Sequence, residues 1–482
     1  VIALPVALCL PALVAWLWLE RFCPRDGSAA GDRMLKLSLA GPFGVALGSL
    51  FYFVWSVIFT PSGRGMVAIE SVLLGVVLAW MLIRRGATRA ERPRPVHQVG
   101  SKRLWLAGRV SVVVTVCLGA VLLVANLVRY PHGHWDAWAI WNLRARFLFR
   151  AAEHWTDSFS SLLFWSSPDY PLCLPAFIAG AWKYMGYESV LAPMLVAAVF
   201  FAATLALLYS AVKGLSGRIP AAVVTVALAG TPLFVSHGAS QYADVPLGFF
   251  FLATVVFMAR HDYGAEHSGR WLILAGLAAS LAAWTKNEGL LFLTAVFVSR
   301  MVVAVWSRGR ARPVRDAARL LVGAFPVLVI LAGFKLFLAP PSGFFAILNL
   351  DQVLEKLADP ARYWTVLKAF FNQMSLFGNG TAPALLVAGV VVGFRRTAWR
   401  TSGLRSGLAV LALMLVGYFF VYVVTPQNLE WHLRTSIARL LLQLWPMTLF
   451  LFALCLGPSD ESGRSGAGPW GEVISWPIIS SQ

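Results

Sequence analysis

Five short stretches hold the side chains able to do chemistry. Asp136 stands in HGHWDAWAIWN, Asp169 and Tyr170 in SPDYPLCLP, and Tyr242 and Asp244 in SQYADVPLG. Lys286, Asn287 and Glu288 follow in TKNEGL, and His432 and Arg434 in EWHLRTS. A carboxylate such as Asp136 can accept the proton of a hydroxyl or amine as that group attacks. Cations such as Lys286 and Arg434 can hold a phosphate and stabilise it as it leaves. Each residue also has a plainer use. Asp136 and Asp244 suit helix N-caps, the second with Pro246 in the first turn. Lys286 and Glu288 suit an interfacial ion pair, and Arg434 can snorkel to headgroups. Trp135, Trp138 and Trp141 suit anchors in a membrane interface. Arg439 and Glu70, inside apolar runs, are expected to be paired or near a span end. Asn379-Gly380-Thr381 matches a glycosylation sequon, a short and weak pattern.

The rest of the chain decides between these uses. Of 482 residues, 59% are hydrophobic and 13% charged, against ~25% charged in a soluble domain; mean hydropathy is +0.71. Apolar runs near ~20 residues, enough to cross ~30 Å of hydrocarbon, recur throughout. The pattern predicts an all-α polytopic membrane protein with about thirteen spans, near 1–19, 37–60, 66–83, 104–129, 190–212, 219–236, 243–260, 271–286, 288–306, 318–338, 382–394, 407–425 and 437–457. The net charge of +18 sits in short tracts between spans, such as Arg84-Arg85, Arg92 to Arg103, Arg308 to Arg315 and Arg395 to Arg405. Those are topology determinants rather than a nucleic-acid site, and they put their loops in the cytoplasm. With an N-terminus outside and a C-terminus inside, every chemical cluster above falls on the non-cytoplasmic face.

That alternation requires 171–186 not to cross; about 16 residues with Pro175, it is expected in or dipping into the outer interface. Two long external loops remain, 130–189 and 339–381. The first holds a predicted amphipathic helix over 137–150, with Trp138, Trp141, Ala145 and Leu148 on its apolar face and Asn142, Arg146 and Arg150 on a polar flank. The second holds a similar pair near 348–358 and 361–377. Scattered Cys9, Cys23, Cys117, Cys173 and Cys455 suggest no structural disulfide and no metal cluster. The divisions expected are 1–103 as extra N-terminal spans, 104–457 as a membrane core, and 458–482 as a flexible tail.

At these residues the chain resembles the GT-C glycosyltransferases, and most closely the bacterial relatives of protein O-mannosyltransferases and of the aminoarabinose and galacturonosyl transferases of lipopolysaccharide. HWDAWAIWNLRAR, YPLCLPAFIAG, YADVPLGFF, TKNEGL and WHLRTSIARLLLQLWP carry the resemblance, over roughly 104–457. It implies a sugar moved, with inversion, from a polyprenyl-phosphate donor to a lipid or glycan acceptor of the envelope. It implies a multi-pass protein of the bacterial inner membrane with its site facing the periplasm. Asp136 would be the catalytic base and Asp244 its supporting carboxylate. Lys286, Arg434 and His432 would bind phosphate, with Tyr170, Tyr242 and Glu288 lining the substrate. No cofactor is required, although two Asp and one Glu suit a divalent cation. Ala137 stands where the protein mannosyltransferases carry Glu, which argues against a protein acceptor. The rivals are a lipid-sugar transporter or flippase, a non-catalytic envelope-assembly subunit, and a polymerase or ligase using a diphosphate donor. A transporter would place its ionisable groups near the midplane of repeated, broken helices.

Overall fold

A computed structural model describes residues 3–24, 29–59, 63–83, 102–263, 269–306, 311–342, 349–395, 398 and 401–456. The tail at 458–482 and much of the basic tracts near 84–103, 308–315 and 395–405 lie outside them. Among the described residues the chain is helical throughout, with no strand and a single isolated bridge between Phe394 and Leu456. Lipid offers the backbone no hydrogen bonds, so each spanning segment must satisfy its own.

A helix stands at each of the thirteen apolar runs. Among the described residues eight are long and apolar enough to cross a membrane, or nine if one bent pair counts as a single span. The first four are α1 (Ala3–Phe22), α2 (Ala29–Phe59), α3 (Gly63–Ile83) and α4 (Lys102–Arg129). After the external loop come α5 (Asn142–Arg150), α6 (Cys173–Met185), α7 (Leu191–Leu215), α8 (Arg218–Ala229), α9 (Pro232–Ala239) and α10 (Asp244–Tyr263). Then follow α11 (Gly269–Thr285), α12 (Glu288–Trp306), α13 (Ala311–Phe337), α14 (Leu350–Ala358), α15 (Pro360–Leu376), α16 (Thr381–Val392), α17 (Ser402–Val424) and α18 (Leu429–Cys455).

The bundle is built around α10, buried on all sides from Asp244 to His261. Its run PLGFFFLATVVFM is apolar all round, as a helix with no lipid-facing side should be. Around it pack α7, α11, α17 and α18. Close approach is achieved with small residues. A Cβ on Gly276 of α11 would run into the carbonyl oxygen of Leu320 in α13, and one on Gly323 into that of Ile273. Gly276→Val should therefore hold α11 and α13 apart and cost about 1–3 kcal/mol or more. A thermal unfolding midpoint in detergent unchanged from the wild type would contradict that.

Two expectations are refined. The run 219–236 is two helices bent by 61°. The break falls at Thr231, extended because Pro232 follows it and opens α9. Segment 171–186 does form a helix too short to cross, since thirteen residues reach only ~20 Å. It is not laid on the surface of the bundle, however. Residues Cys173–Trp182 are all buried, with α6 wedged between α2 and α5. The reason is a partner that α2 supplies: Phe177 packs where Gly48 leaves room, Tyr52 fills the side of Gly180, and Tyr52 donates to Leu148 O at 2.6 Å.

The second external loop forms α14 and α15 as expected. Asn349 and Asp359 cap them, accepting from the amides of Asp351 and Ala361. Lys356 Nζ and Arg362 Nε donate to Thr425 O and Val423 O, tying both helices to the end of α17. Leu350, Leu354, Trp364, Leu367 and Phe371 remain exposed, an apolar face suited to the membrane surface.

Candidate functional site

Asp136 and Asp244 come from segments far apart in sequence, and one arginine joins them. Arg439 of α18 donates through Nη2 to Asp136 Oδ2 and through Nε to Asp244 Oδ2, the latter at 2.9 Å. Gln443, one helical turn further on, donates to Asp244 Oδ1 at 2.7 Å. Tyr418 Oη in turn donates to Gln443 Oε1 at 2.8 Å. Lys286 reaches Asp244 Oδ1 at 3.2 Å and Glu288 Oε1 at 2.7 Å. The Arg439 guanidinium lies over the Tyr242 ring, 4.8 Å from its centroid.

These contacts decide the plainer readings. Asp136 makes no capping hydrogen bond with its side chain, and the Asp244 carboxylate spends both oxygens on Arg439, Gln443 and Lys286. The two carboxylates are also unequal. The Asp244 side chain is fully buried, whereas that of Asp136 is 14% exposed. Asp136 is thus the one an incoming molecule can meet.

A second cluster adjoins through Asn287. Asn287 Nδ2 donates to Asp169 Oδ2 at 2.6 Å, and Lys335 Nζ donates to Asn287 Oδ1 at 2.8 Å and to Asp169 O. Tyr170 stacks on Trp141, with centroids 5.7 Å apart, and its ring centroid lies 5.9 Å from Lys286 Nζ. Burial, then the charge of Glu288, raises the Tyr170 hydroxyl above the usual tyrosine value. Arg144 is fully buried, and its Nε, Nη1 and Nη2 all lack a hydrogen-bond partner among the described residues. Its guanidinium sits 5.6 Å from the Phe159 ring centroid, and Asp169 is the carboxylate whose charge acts on it. Burial pushes it down to about 9 against the opposing pull of Asp169. A buried cation without bonds is costly.

The structure does not bring His432 or Arg434 into this cluster. His432 Nδ1 meets Thr425 Oγ1 at 2.9 Å and its ring packs on Tyr422. Arg434 is exposed and makes no ion pair among the described residues. The expected helix is present, but its site-facing residues lie further along it. Five residues of α-helix rotate Arg439 about 140° from Arg434, and Arg439 shares its face with Gln443. An i, i+4 polar pair inside the apolar run IARLLLQLWP is the signal that marks it, since intramembrane charges are kept for a purpose.

The helix after Asp136 departs from the expected register for a related reason. Ala137–Trp141 form a π-turn, closed by the amide of Asn142 donating to Ala137 O. The extra residue in that turn leaves Trp138 exposed and turns Trp141, Asn142 and Arg144 inward. Trp141 is therefore a buried stacking partner of Tyr170 rather than a membrane anchor, and Asn142 leaves the polar flank to donate to Gln241 Oε1 at 2.9 Å. Gln241 takes a left-handed φ of 60°, and its side-chain amide donates to Pro131 O at 3.0 Å. That pins the turn leading into Tyr242 and Asp244. Trp135 and Trp138 stay exposed, edge to face with each other. Glu70 is buried in α3 and Arg439 is paired.

Ionisable groups also gather at the opposite end of α10, ~27 Å away. There Arg300 is held by Asp262 and Asp316, and Arg260 faces Asp32. Among the described residues no three His, Cys, Asp or Glu converge as metal ligands.

Residues 169–335, about a third of the chain, match the family model described as dolichyl-phosphate-mannose-protein mannosyltransferase, a family of the GT-C glycosyltransferase superfamily. The match begins at Asp169 and takes in Tyr170, Tyr242, Asp244, Lys286, Glu288 and Lys335. No curated protein and no solved structure gives a match.

Proposed function

We propose that this polytopic chain of the GT-C glycosyltransferase kind moves a sugar from a polyprenyl-phosphate carrier to a lipid or glycan acceptor on the non-cytoplasmic face of a bacterial inner membrane. The observation that carries the reading is the Arg439 bridge between an accessible carboxylate, Asp136, and a buried one, Asp244. An acceptor hydroxyl or amine attacks the anomeric carbon of the donor and forms the new glycosidic bond. Its proton passes to Asp136. The bond from the anomeric carbon to the phosphate oxygen breaks, and its electron pair leaves with the polyprenyl phosphate. One displacement inverts the anomeric centre. Asp244 does not meet the acceptor; it fixes Arg439 and Lys286, and through Arg439 the position of Asp136.

Charge balance indicates where the phosphate goes. Around Arg439 and Lys286 three carboxylates, Asp136, Asp244 and Glu288, face two cations, so this cluster alone does not favour another anion. Across Asn287, Arg144 and Lys335 face the single carboxylate of Asp169. The phosphate therefore sits against Lys335, which is partly exposed, with the buried Arg144 and Lys286 adding positive charge behind it, and the role that the family resemblance implies for Arg434 and His432 passes to Lys335 and Arg144. Glu288 Oε2 and Trp141 Nε1, both without a partner among the described residues, flank Tyr170 and suit hydroxyls of the donor sugar.

Arg144→Met separates binding from structure. Replacing an unpaired buried charge by an apolar side chain of similar length should leave stability equal or raise it by about 1–4 kcal/mol, while KM for the donor rises at least tenfold. A variant less stable than the wild type with an unchanged donor KM would show Arg144 to be structural. For the function itself, the test is mass spectrometry of envelope glycans from cells lacking the chain and from cells complemented with it. One sugar mass should vanish and return; an unchanged glycan profile would count against the transferase.

A further inference from the structure

Beside α5 lies a cavity of about 130 Å³ that the reaction above does not use. Its walls include His132, Asn142, Arg146, Trp182, Glu188 and Ser189. They come from the turn after α4, from α5, from the end of α6 and from the entry to α7. The volume, roughly four waters at ~30 Å³ each, is smaller than a whole hexose; it takes the charged edge of one sugar ring, with the rest projecting from the mouth, and no lipid chain.

The chemistry of the walls is specific. Asn142 is 3% exposed; its Nδ2 is committed to Gln241, and its Oδ1 is buried with no donor among the described residues. Such an acceptor is costly to leave empty, and a hydroxyl satisfies it. Arg146 and Arg150 both pair with Glu188, Arg146 Nε at 3.4 Å and Arg150 Nη2 at 2.7 Å. Two guanidiniums on one carboxylate leave the rim one positive charge in excess. Arg146 lines the cavity and Arg150 does not, so on an anion's arrival Arg150 can keep Glu188 while Arg146 turns inward. Trp182, its Nε1 donating to Ser189 O at 2.8 Å, provides a fixed apolar wall.

The cavity also communicates with the reacting groups. Asn142 closes the π-turn that begins next to Asp136, and its side chain holds Gln241, two residues before Ala243 and three before Asp244.

We propose that this cavity seats one anionic sugar residue of the acceptor, with a ring hydroxyl donating to Asn142 Oδ1 and its carboxylate or phosphate paired with Arg146. The proposal rests on the transferase reading and names the acceptor's class. It is tested by isothermal titration calorimetry on the full chain in nanodiscs, with glucuronate and glucose 6-phosphate against glucose and glucosamine. At least one anionic sugar should bind saturably, at least tenfold more tightly than the neutral or cationic sugar. Arg146→Gln, a change at a partly exposed side chain, should weaken that binding at least tenfold. Asn142→Leu should do the same where size-exclusion shows a folded protein, and Arg218→Gln, at the start of α8, should leave it unchanged. Binding that prefers glucose or glucosamine, that survives Arg146→Gln, or that fails to saturate would overturn the site. Calorimetry needs no turnover. A chain that binds glucuronate through Arg146 yet transfers no sugar would sink the transferase reading alone. Efficient transfer with an acceptor KM indifferent to Arg146→Gln would sink this site alone.

Discussion

Asp136→Asn should lower the rate of sugar transfer by roughly 10²- to 10⁴-fold, the range for loss of a general base. Asn fills the same space but cannot take the acceptor's proton. The fold should persist, because Arg439 keeps its bond to Asp244, and Asp244 keeps Lys286 and Gln443. The loss should fall on kcat, with donor KM little changed, since the phosphate contacts lie across Asn287. Initial rates with purified protein, beside its unfolding midpoint, decide the matter. A folded Asn variant within threefold of wild type would make Asp136 a partner of Arg439 and nothing more.

Arg439→Gln should be the most damaging change to stability. Among the described residues it removes the cation that holds Asp136 and one of two that hold the buried Asp244. Breaking a buried pair by deleting one partner costs about 3–5 kcal/mol, because the remaining charge is left uncompensated. Asp136→Asn in the same chain should recover part of that loss, since it deletes the charge that is left with no cation; a double-mutant cycle measures the coupling. Arg439→Lys should recover less than its charge suggests, because a point ammonium cannot replace a fork that meets two carboxylates at once. Additive effects of Asp136→Asn and Arg439→Gln would mean that the two side chains do not act together.

Much of this architecture is legible in the chain's sequence, for reasons the membrane imposes. A span must be helical and apolar, so runs such as 104–129 and 243–260 declare themselves as helices by composition alone. Asp136, Asp244, Lys286 and Glu288 stand out because charge is rare between such runs, and the fold brings those four together. What stays hidden depends on the third dimension. Burial of α6 follows from a cleft shaped by Gly48 and Tyr52, more than a hundred residues earlier. Trp138 and Trp141 follow ideal helical spacing in sequence, and only the π-turn shows that one faces out and the other in. Arg144 is one of three arginines in NLRARFLFR, and nothing in that string says it alone has lost its water. Arg439 is visible as a charge inside a span, but its partners lie about 300 and 195 residues back.

The most direct measurement is release of polyprenyl phosphate from a panel of polyprenyl-phosphate sugars by the purified chain in nanodiscs, with envelope lipid extract as acceptor, beside the Asp136→Asn variant. The account predicts that one donor is consumed, that its sugar appears on an extract component with inverted anomeric configuration, and that the Asn variant is slower by at least two orders of magnitude. No donor consumed by wild type, or equal consumption by the two proteins, would contradict it.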